Sequence, residues 1–520
     1  MQTSILKQTA MLGIATLLVR LIGFLYRLPL TDMLGDRGNG LYAVGFHIYT
    51  FLLVVSTAGI PRAVAKMVSE RLARGQYTAA HAVFRTALTA ALGIGLVASL
   101  LLWLFSGQFA AWAGYPESVY AIRTLAPAIV LVAIMGVFFG YFQGMEKQGP
   151  VAFSQVIDQI FNAGFSVLLA FLFLDTLEHA AAGGTAGTTI GVMAGLLCVV
   201  GLYSVCVPRI RRRIRREANR TPVPRVPILK ELLYTAFPII LGTAIFSLSN
   251  FIDMAMVSHR MGASGAFAQD EIEVLFGQLT GKYVLLVTLP VAISTVLASV
   301  LVPNMAASRT LQQHDEIVQK INMGLRLSMF VALPAAVGLF VLAGPILHLL
   351  FPNHPEGALL LQVGALSVIF LSLTQVTTGM LQGLGQVRVP VIGALVGAAA
   401  KIPLNYFLIA IPEVHVKGAI ISTTVCYGIA AAVNLFCLKR TTHVHYDVVG
   451  ILLKPVLAAG IMGLGTYVVY HLLYDASNNA VATLVAMVVG GGLYFWSMLV
   501  FGGMDDTGIL PFIKKMAKRG

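Results

Sequence analysis

Residues 5–30 read ILKQTAMLGIATLLVRLIGFLYRLPL, an apolar run long enough to cross a bilayer as a helix, yet Arg20 and Arg27 stand well inside it. A charge held at the bilayer centre costs at least about 2.5–3.5 kcal/mol, so such a residue normally faces a bundle interior or a watery cavity. The two arginines are seven residues apart, close to two helical turns, and therefore leave the helix on the same side. Thr16, Arg20, Gly23 and Arg27 form one small and polar face on an otherwise apolar segment. Two readings stay open on this pattern. Either the arginines snorkel to headgroups (easier for Arg27, nearer the segment end) or pair with an acid, or the face lines a cavity for an anionic cargo.

Only 11% of the 520 residues are charged, 58% are hydrophobic and the mean hydropathy is +0.84. Soluble domains carry about 25% charged residues. The chain reads as an all-α polytopic membrane protein. Fourteen apolar segments approach the ~20 residues a crossing needs: 5–30, 41–68, 82–105, 118–142, 151–174, 185–207, 228–258, 275–302, 318–344, 357–382, 390–411, 417–438, 449–473 and 480–502. The first run is too long for a signal-peptide h-region and lacks a small-residue cleavage pattern, so no signal peptide is expected. Cys198, Cys206, Cys426 and Cys437 all lie in apolar runs without metal-ligand or CxxC spacing, and read as small membrane-embedded hydrophobes. The net charge of +13 does not point to nucleic acid. With the N-terminus in the cytoplasm, every loop lysine and arginine except Arg37, Arg260 and Lys417 falls on the cytoplasmic side, as the positive-inside rule requires. Both termini are therefore expected in the cytoplasm.

The basic run from Pro208 to Pro227 divides the chain, and reads as a solvated linker at an anionic leaflet. The halves on either side echo each other. Phe24 to Gly35 aligns with Phe251 to Gly262 without a gap, and Ile5-Leu-Lys7 recurs as Ile228-Leu-Lys230. Gly140-Tyr-Phe-Gln-Gly144 recurs as Gly379-Met-Leu-Gln-Gly383, each followed shortly by a proline, Pro150 or Pro390. The echoes run in the same direction, so the repeat is parallel. Two pseudo-symmetric six-helix lobes around a central cavity follow, with two extra C-terminal helices. The expected organisation is an N-lobe at 1–207, a basic cytoplasmic linker at 208–227, a C-lobe at 228–438, and the extra pair with a basic tail at 439–520.

Other intramembrane polar residues complete the candidate site. Arg62 and Lys66 follow Pro61, which loosens the second segment, and either snorkel or line a cytoplasmic mouth. Lys282 with Gln278 one turn earlier, and Lys401 with Asn405 one turn later, lie deeper and either line the cavity or serve a structural role. Arg85, Arg123, Arg326 and Lys454 stand near segment ends, where snorkelling suffices. The acids in spans are Asp158, on a polar face with Gln155, Gln159 and Asn162, and Asp253, beside Asn250. Each either neutralises a base or binds a coupling Na+ or H+. More bases than acids suits an anion rather than a cationic drug, and a guanidinium fork matches phosphate oxygens; a pyrophosphate would suit the Arg20/Arg27 pair. No catalytic motif or metal set is present. Gly281-Lys282 lacks P-loop spacing, and His443 and His445 read as surface histidines, so enzymatic activity and a bound cofactor are not expected.

The run Arg20-Leu-Ile-Gly-Phe-Leu-Tyr-Arg-Leu-Pro-Leu, then Leu34-Gly35, Gly40-Leu-Tyr42 and Ser56-Thr-Ala-Gly-Ile-Pro61, resembles the polysaccharide-transporter branch of the multidrug/oligosaccharidyl-lipid/polysaccharide (MOP) exporter superfamily. Within it the chain is similar, over its whole length, to the group containing stage V sporulation protein B and the MurJ-type lipid II flippases. The resemblance implies a bacterial plasma-membrane protein that flips undecaprenyl-pyrophosphate-linked peptidoglycan precursor (lipid II) outward by alternating access. It implies arginines of the first segment on the pyrophosphate, a lipid-tail groove formed by the last two segments, and cell-wall synthesis proteins as partners. Arg20 matches the family's first arginine without a gap; Arg27 matches the second with one residue inserted. Gram-negative members carry a further arginine in the second segment, whereas the residues there are Phe51 and Leu52, and Lys282 stands near their segment-eight arginine. Other functions stay open: flipping of a teichoic acid or capsule unit, cation-coupled drug export through Asp253 or Asp158, and a non-transporting scaffold. The membrane potential or an ion gradient would reset a carrier.

Overall fold

A computed structural model describes residues 2–57, 59–215, 217, 224–475 and 477–503, without the side chains of 2–14, Thr16 and parts of 208–216 and 238–248. The C-terminal tail and residues 216 and 218–223 of the basic linker, both expected on the cytoplasmic side, lie outside the described residues, as does the side chain of Thr16. Every regular element among the described residues is helical. In chain order these are α1 (Gln2–Thr57), α2 (Ile60–Ala73), α3 (Tyr77–Leu104), α4 (Ser106–Ala113), α5 (Val119–Gly144), α6 (Gly149–Leu172), α7 (Leu177–Arg215), α8 (Arg225–Ser264) and α9 (Gln269–Gly277). They continue as α10 (Leu285–Thr310), α11 (His314–Val341), α12 (Ala343–Leu350), α13 (Ala358–Gly364), α14 (Ser367–Gly383), α15 (Arg388–Leu408), α16 (Lys417–Thr442), α17 (Lys454–Tyr474) and α18 (Asn479–Val500). Two π-helical turns, Gln278–Val284 and Val449–Leu453, lead into α10 and α17.

Among the described residues, eleven helices are long and apolar enough to cross a membrane, or twelve when the bent pair α13 and α14 is taken as one span. This is a multi-pass membrane protein. The first two expected segments run together within Leu17–Ala73, and α8 is not among the eleven. What separates those two segments is a break inside α1 at Gly35, where φ is 63° and ψ 179°. A side chain there would be strained, so glycine permits the fold-back. The second break comes between Thr57 and Ile60, and Pro61 occupies the first turn of α2, where a missing N–H costs nothing.

Contacts divide the chain into two units, Met1–His259 with Gln269–Gly277, and Arg260–Ala268 with Gln278–Gly520. This grouping does not follow the basic run: α8 up to His259 belongs with the N-terminal half. Inside the first unit, α2, α3 and α5 enclose an apolar core around Val64, Val83, Phe84 and Phe142. Helix α7 lies along α6 through a stripe of glycines. A Cβ at Gly183, Gly187 or Gly191 would fall 2.6, 2.2 and 2.6 Å from Leu169 O, Ser166 Oγ and Asp158 O.

The sequence echo reappears as a shared contact. In the first unit, a Cβ at Gly140 or Gly144 would lie 2.4 or 2.8 Å from the carbonyls of Pro61 and Ala65 on α2. In the second, a Cβ at Gly379 or Gly383 would lie 2.6 or 2.5 Å from the carbonyls of Ala298 and Val302 on α10. Both glycine pairs let one helix backbone rest on another at carbonyls one turn apart. Small residues commonly serve this purpose in membrane helices.

The two C-terminal helices are fastened within the second unit. The Tyr494 hydroxyl donates to Phe330 O at 2.9 Å and the Asn479 amide to Pro345 O at 3.1 Å. Before them, Arg326 Nη2 meets Asp447 Oδ2 at 2.5 Å, and the Asp447 carboxylate also accepts from Gly450 N at 3.1 Å. Burial pushes the Asp447 carboxyl up, but the Gly450 N–H and the Arg326 guanidinium outweigh it and hold it below the ordinary carboxylate range. A carboxyl depressed on folding stabilises the fold above its unfolded pKa, and that contribution is lost as pH falls through the folded value. Asp447→Asn is therefore expected to cost about 1 kcal/mol near neutral pH. Thermal melts of the solubilised protein should show the gap to wild type closing as pH falls below about 4.

Candidate functional site

Glycine at position 23 lets the first arm of α1 approach α6, where a Cβ would sit 3.3 Å from Gln159 Nε2. The polar face of the first segment thus meets that of the fifth, a juxtaposition that periodicity had no means of giving. The fifth segment's face is shared between two neighbours. Gln159 turns toward α1, while Asp158 and Asn162 border α7: a Cβ at Gly195 would lie 2.9 Å from Asp158 Cβ, and Asn162 Oδ1 accepts from Thr188 Oγ1 at 3.4 Å. Asp158 is half-buried, and among the described residues it makes no ion pair or side-chain hydrogen bond.

Arg20 is exposed and Arg27 half-buried. Arg27 Cζ lies 4.5 Å from the ring centroid of Tyr42 and 5.9 Å from that of Phe46, and the two rings are stacked 6.1 Å apart at 11°. The fold-back at Gly35 brings Tyr42 under Arg27. The ring is itself held, since Tyr42 is buried among Leu30, Leu34, Leu41 and Ala170. A guanidinium stacked on a ring keeps its N–H donors in the plane, pointing outward from its edge, where they are able to meet an oxyanion. Neither Arg20 nor Arg27 forms an ion pair among the described residues. The pairing-with-an-acid reading of these two arginines therefore has no support in the geometry.

The remaining residues singled out from sequence fall in different places. Arg62 and Lys66 are exposed on α2, opposite its buried Ala63, Val64 and Met67, and Lys66 Nζ is 4.0 Å from Glu70. Asn250 is exposed and Asp253 half-buried on α8, within the first unit. In the second unit, Gln278 and Lys282 occupy a π-turn and are buried; Lys282 Nζ donates to Glu356 O at 2.9 Å. Lys401 is 1% exposed and Asn405 0%. They continue a seam begun by Gly393 and Gly397, which pack on Ala430 and Cys426 of α16, and Asn405 Oδ1 accepts from Ser422 Oγ. Arg20 and Arg27 thus belong to one unit, and Lys282 and Lys401 to the other. The aromatic bed of Tyr42 and Phe46 escaped the sequence reading. Tyr42 stood in a recognised motif, but nothing in its spacing from Arg27 announced a contact across a break.

Among the described residues no group of three or more His, Cys, Asp or Glu is placed to hold a metal. Comparison with known proteins agrees with this helical architecture. A family model described as "Polysaccharide biosynthesis protein" matches residues 5–309, and the MatE model matches residues 238–407. The lipid II flippase MurJ of Bacillus subtilis (strain 168) is 29% identical over 95% of this chain and 95% of its own. Stage V sporulation protein B of the same organism is 25% identical over 80% of this chain and 79% of its own. A solved structure of lipid II flippase MurJ in an inward closed conformation superposes with a TM-score of 0.70 at 16% identity, covering 94% of this chain and 98% of that one.

Proposed function

The chain belongs to the polysaccharide biosynthesis protein family of the MOP exporter superfamily, and from that premise we propose that it is a flippase for a lipid-linked glycan, lipid II being the cargo. The observation that carries this reading is the Arg27 guanidinium braced on Tyr42, with Arg20 on the same helix face and no acid neutralising either. Two unpaired cations in a chain this apolar suit a pyrophosphate, which needs charge and in-plane donors together. In the proposed cycle the headgroup enters from the cytoplasmic side, Arg20 and Arg27 hold its phosphates, and the two lobes rock to expose it outside. The polyprenyl tail stays in lipid along the last two helices.

The accompanying topology is part of the proposal. Counting the Gly35-broken run as two crossings, and α8 as one, brings the twelve spans to fourteen, with both termini in the cytoplasm. The membrane potential would reset the carrier, at ~2.3 kcal/mol per charge per 100 mV. A second reading, cation-coupled export, draws on Asp158, a half-buried carboxylate without an ion pair. The deciding experiment is expression in a strain depleted of its lipid II flippase. Growth and outward accessibility of lipid II should be restored; a failure at normal protein levels, with rescue of a teichoic acid or capsule flippase mutant instead, would reassign the cargo. Efflux of organic cations abolished by Asp158→Asn would favour the second reading.

A further inference from the structure

Helix α9 is held by one unit and continuous with the other. Gln269–Gly277 groups with the first unit, whereas Arg260–Ala268 before it and everything from Gln278 onward group with the second. What holds it is specific. Arg37 Nε donates to Glu273 Oε2 at 2.7 Å, and Arg37 Nη2 lies 2.9 Å from Glu117 Oε1 and 3.0 Å from Asp270 Oδ1. Gln269 Nε2 donates to Gly114 O at 2.6 Å, and Phe276 packs 5.3 Å from the Tyr115 ring. The backbones touch: a Cβ on Gly40 would lie 2.4 Å from Glu273 O, and one on Gly277 1.7 Å from Asp36 O.

The grouping changes between Gly277 and Gln278, and at that residue the helix widens into the π-turn Gln278–Val284. A π-turn puts the hydrogen-bond ladder out of register, which makes it a place where a helix bends at little cost. The second unit grips this turn: Lys282 donates to Glu356 O, and the Tyr283 hydroxyl lies 2.9 Å from Ser367 Oγ. The Tyr283 ring occupies the space left by the absent side chain of Gly364.

We propose that α9 is a clasp that docks on and off the first unit, with Gln278–Val284 as its pivot and Arg37 as its key. Three carboxylates share one guanidinium, so the docked cluster carries excess negative charge and holds together only while Arg37 is present. Since α9 is continuous with the second unit at both ends, that unit cannot change its disposition unless α9 undocks or turns at the pivot. The role in the cycle rests on the transport reading above; the docking itself does not.

The test uses the full chain, with Cys198, Cys206, Cys426 and Cys437 replaced and Ile272→Cys introduced. Ile272 is 1% exposed on the docked face. In proteoliposomes without cargo, alkylation of this thiol by N-ethylmaleimide should be slow, and faster by about tenfold or more in Arg37→Gln, with Glu273→Gln between the two. Equal alkylation rates in all three would overturn the key. In the second arm, Glu117→Cys/Asp270→Cys is joined by a short reducible bis-thiosulfonate, since both carboxylates lie against the same Arg37 nitrogen. Joining should stop flipping and reductant restore it; undiminished flipping by the joined protein would overturn the moving clasp. Alkylation needs no cargo, so it decides the docking even for a protein that flips nothing.

Discussion

Arg20→Ala/Arg27→Ala is expected to lose outward flipping of lipid II while accumulating and folding as wild type does. Each guanidinium that meets a phosphate contributes a charge-assisted hydrogen bond of about 1.5–3 kcal/mol, so losing both should lower turnover roughly a hundredfold or more. The conservative variants separate the two positions. Arg27 stacks on the Tyr42 ring, and an ammonium has no plane to stack and no in-plane fork, so Arg27→Lys should stay impaired. Arg20 is exposed, and among the described residues no aromatic ring lies beneath it, so Arg20→Lys should keep much of its activity. Tyr42→Phe retains the ring and should be mild; Tyr42→Leu removes it and should resemble Arg27→Lys. The measurement is lipid II accessibility on the outer leaflet of cells, or flipping in proteoliposomes, at matched protein levels. Normal flipping by the double alanine variant would end the arginine assignment.

The second large effect is on folding. Gly140→Val and Gly379→Val are each expected to abolish recovery of monodisperse protein from membranes. A Cβ at these positions would lie 2.4 Å from Pro61 O and 2.6 Å from Ala298 O, both backbone atoms, so no side chain is able to turn aside. Even one methyl inserted into a packed interior costs about 1–3 kcal/mol, and here a whole helix must move away along its length. The control is built into the same chain. A Cβ at Gly93 or Gly164, inside α3 and α6, would meet nothing within 4 Å, so Gly93→Val and Gly164→Val should be nearly neutral. Size-exclusion profiles of detergent extracts measure all four. Matching defects at Gly140 and Gly379 would also show that the two halves reuse one packing solution; a neutral Gly140→Val would remove it.

Much of the architecture was legible in the sequence because lipid leaves few options. Apolar stretches of membrane-crossing length must become helices when no water is available to satisfy the backbone, and the chain is full of them. The Gly140/Gly144 and Gly379/Gly383 echo was visible too, since a contact that admits only glycine leaves glycine in the sequence. Arg20 and Arg27 announced themselves through cost, being charges where charge is expensive. Lys282 and Lys401 were flagged by the same rule, but burial alone does not say which neighbour a cation faces. Lys282 meets the Glu356 carbonyl, and Lys401 stands in a helix seam with Asn405.

Composition, periodicity and internal echoes by themselves determined that this chain is helical and membrane-embedded, that glycine-paired motifs recur in its two halves, and that one helix face carries two costly cations. Each of these follows from local physics: the length of an apolar run, the angle per residue, the solvation of a charge. Only the tertiary structure decided that α1 folds back at Gly35 to lay Tyr42 beneath Arg27, that Asp158 and Gln159 face different helices, and that Arg37 gathers Glu117, Asp270 and Glu273 around α9. Those are meetings between residues far apart in the chain. They depend on where a helix breaks and which backbone rests on which glycine, quantities that no periodicity within a segment contains.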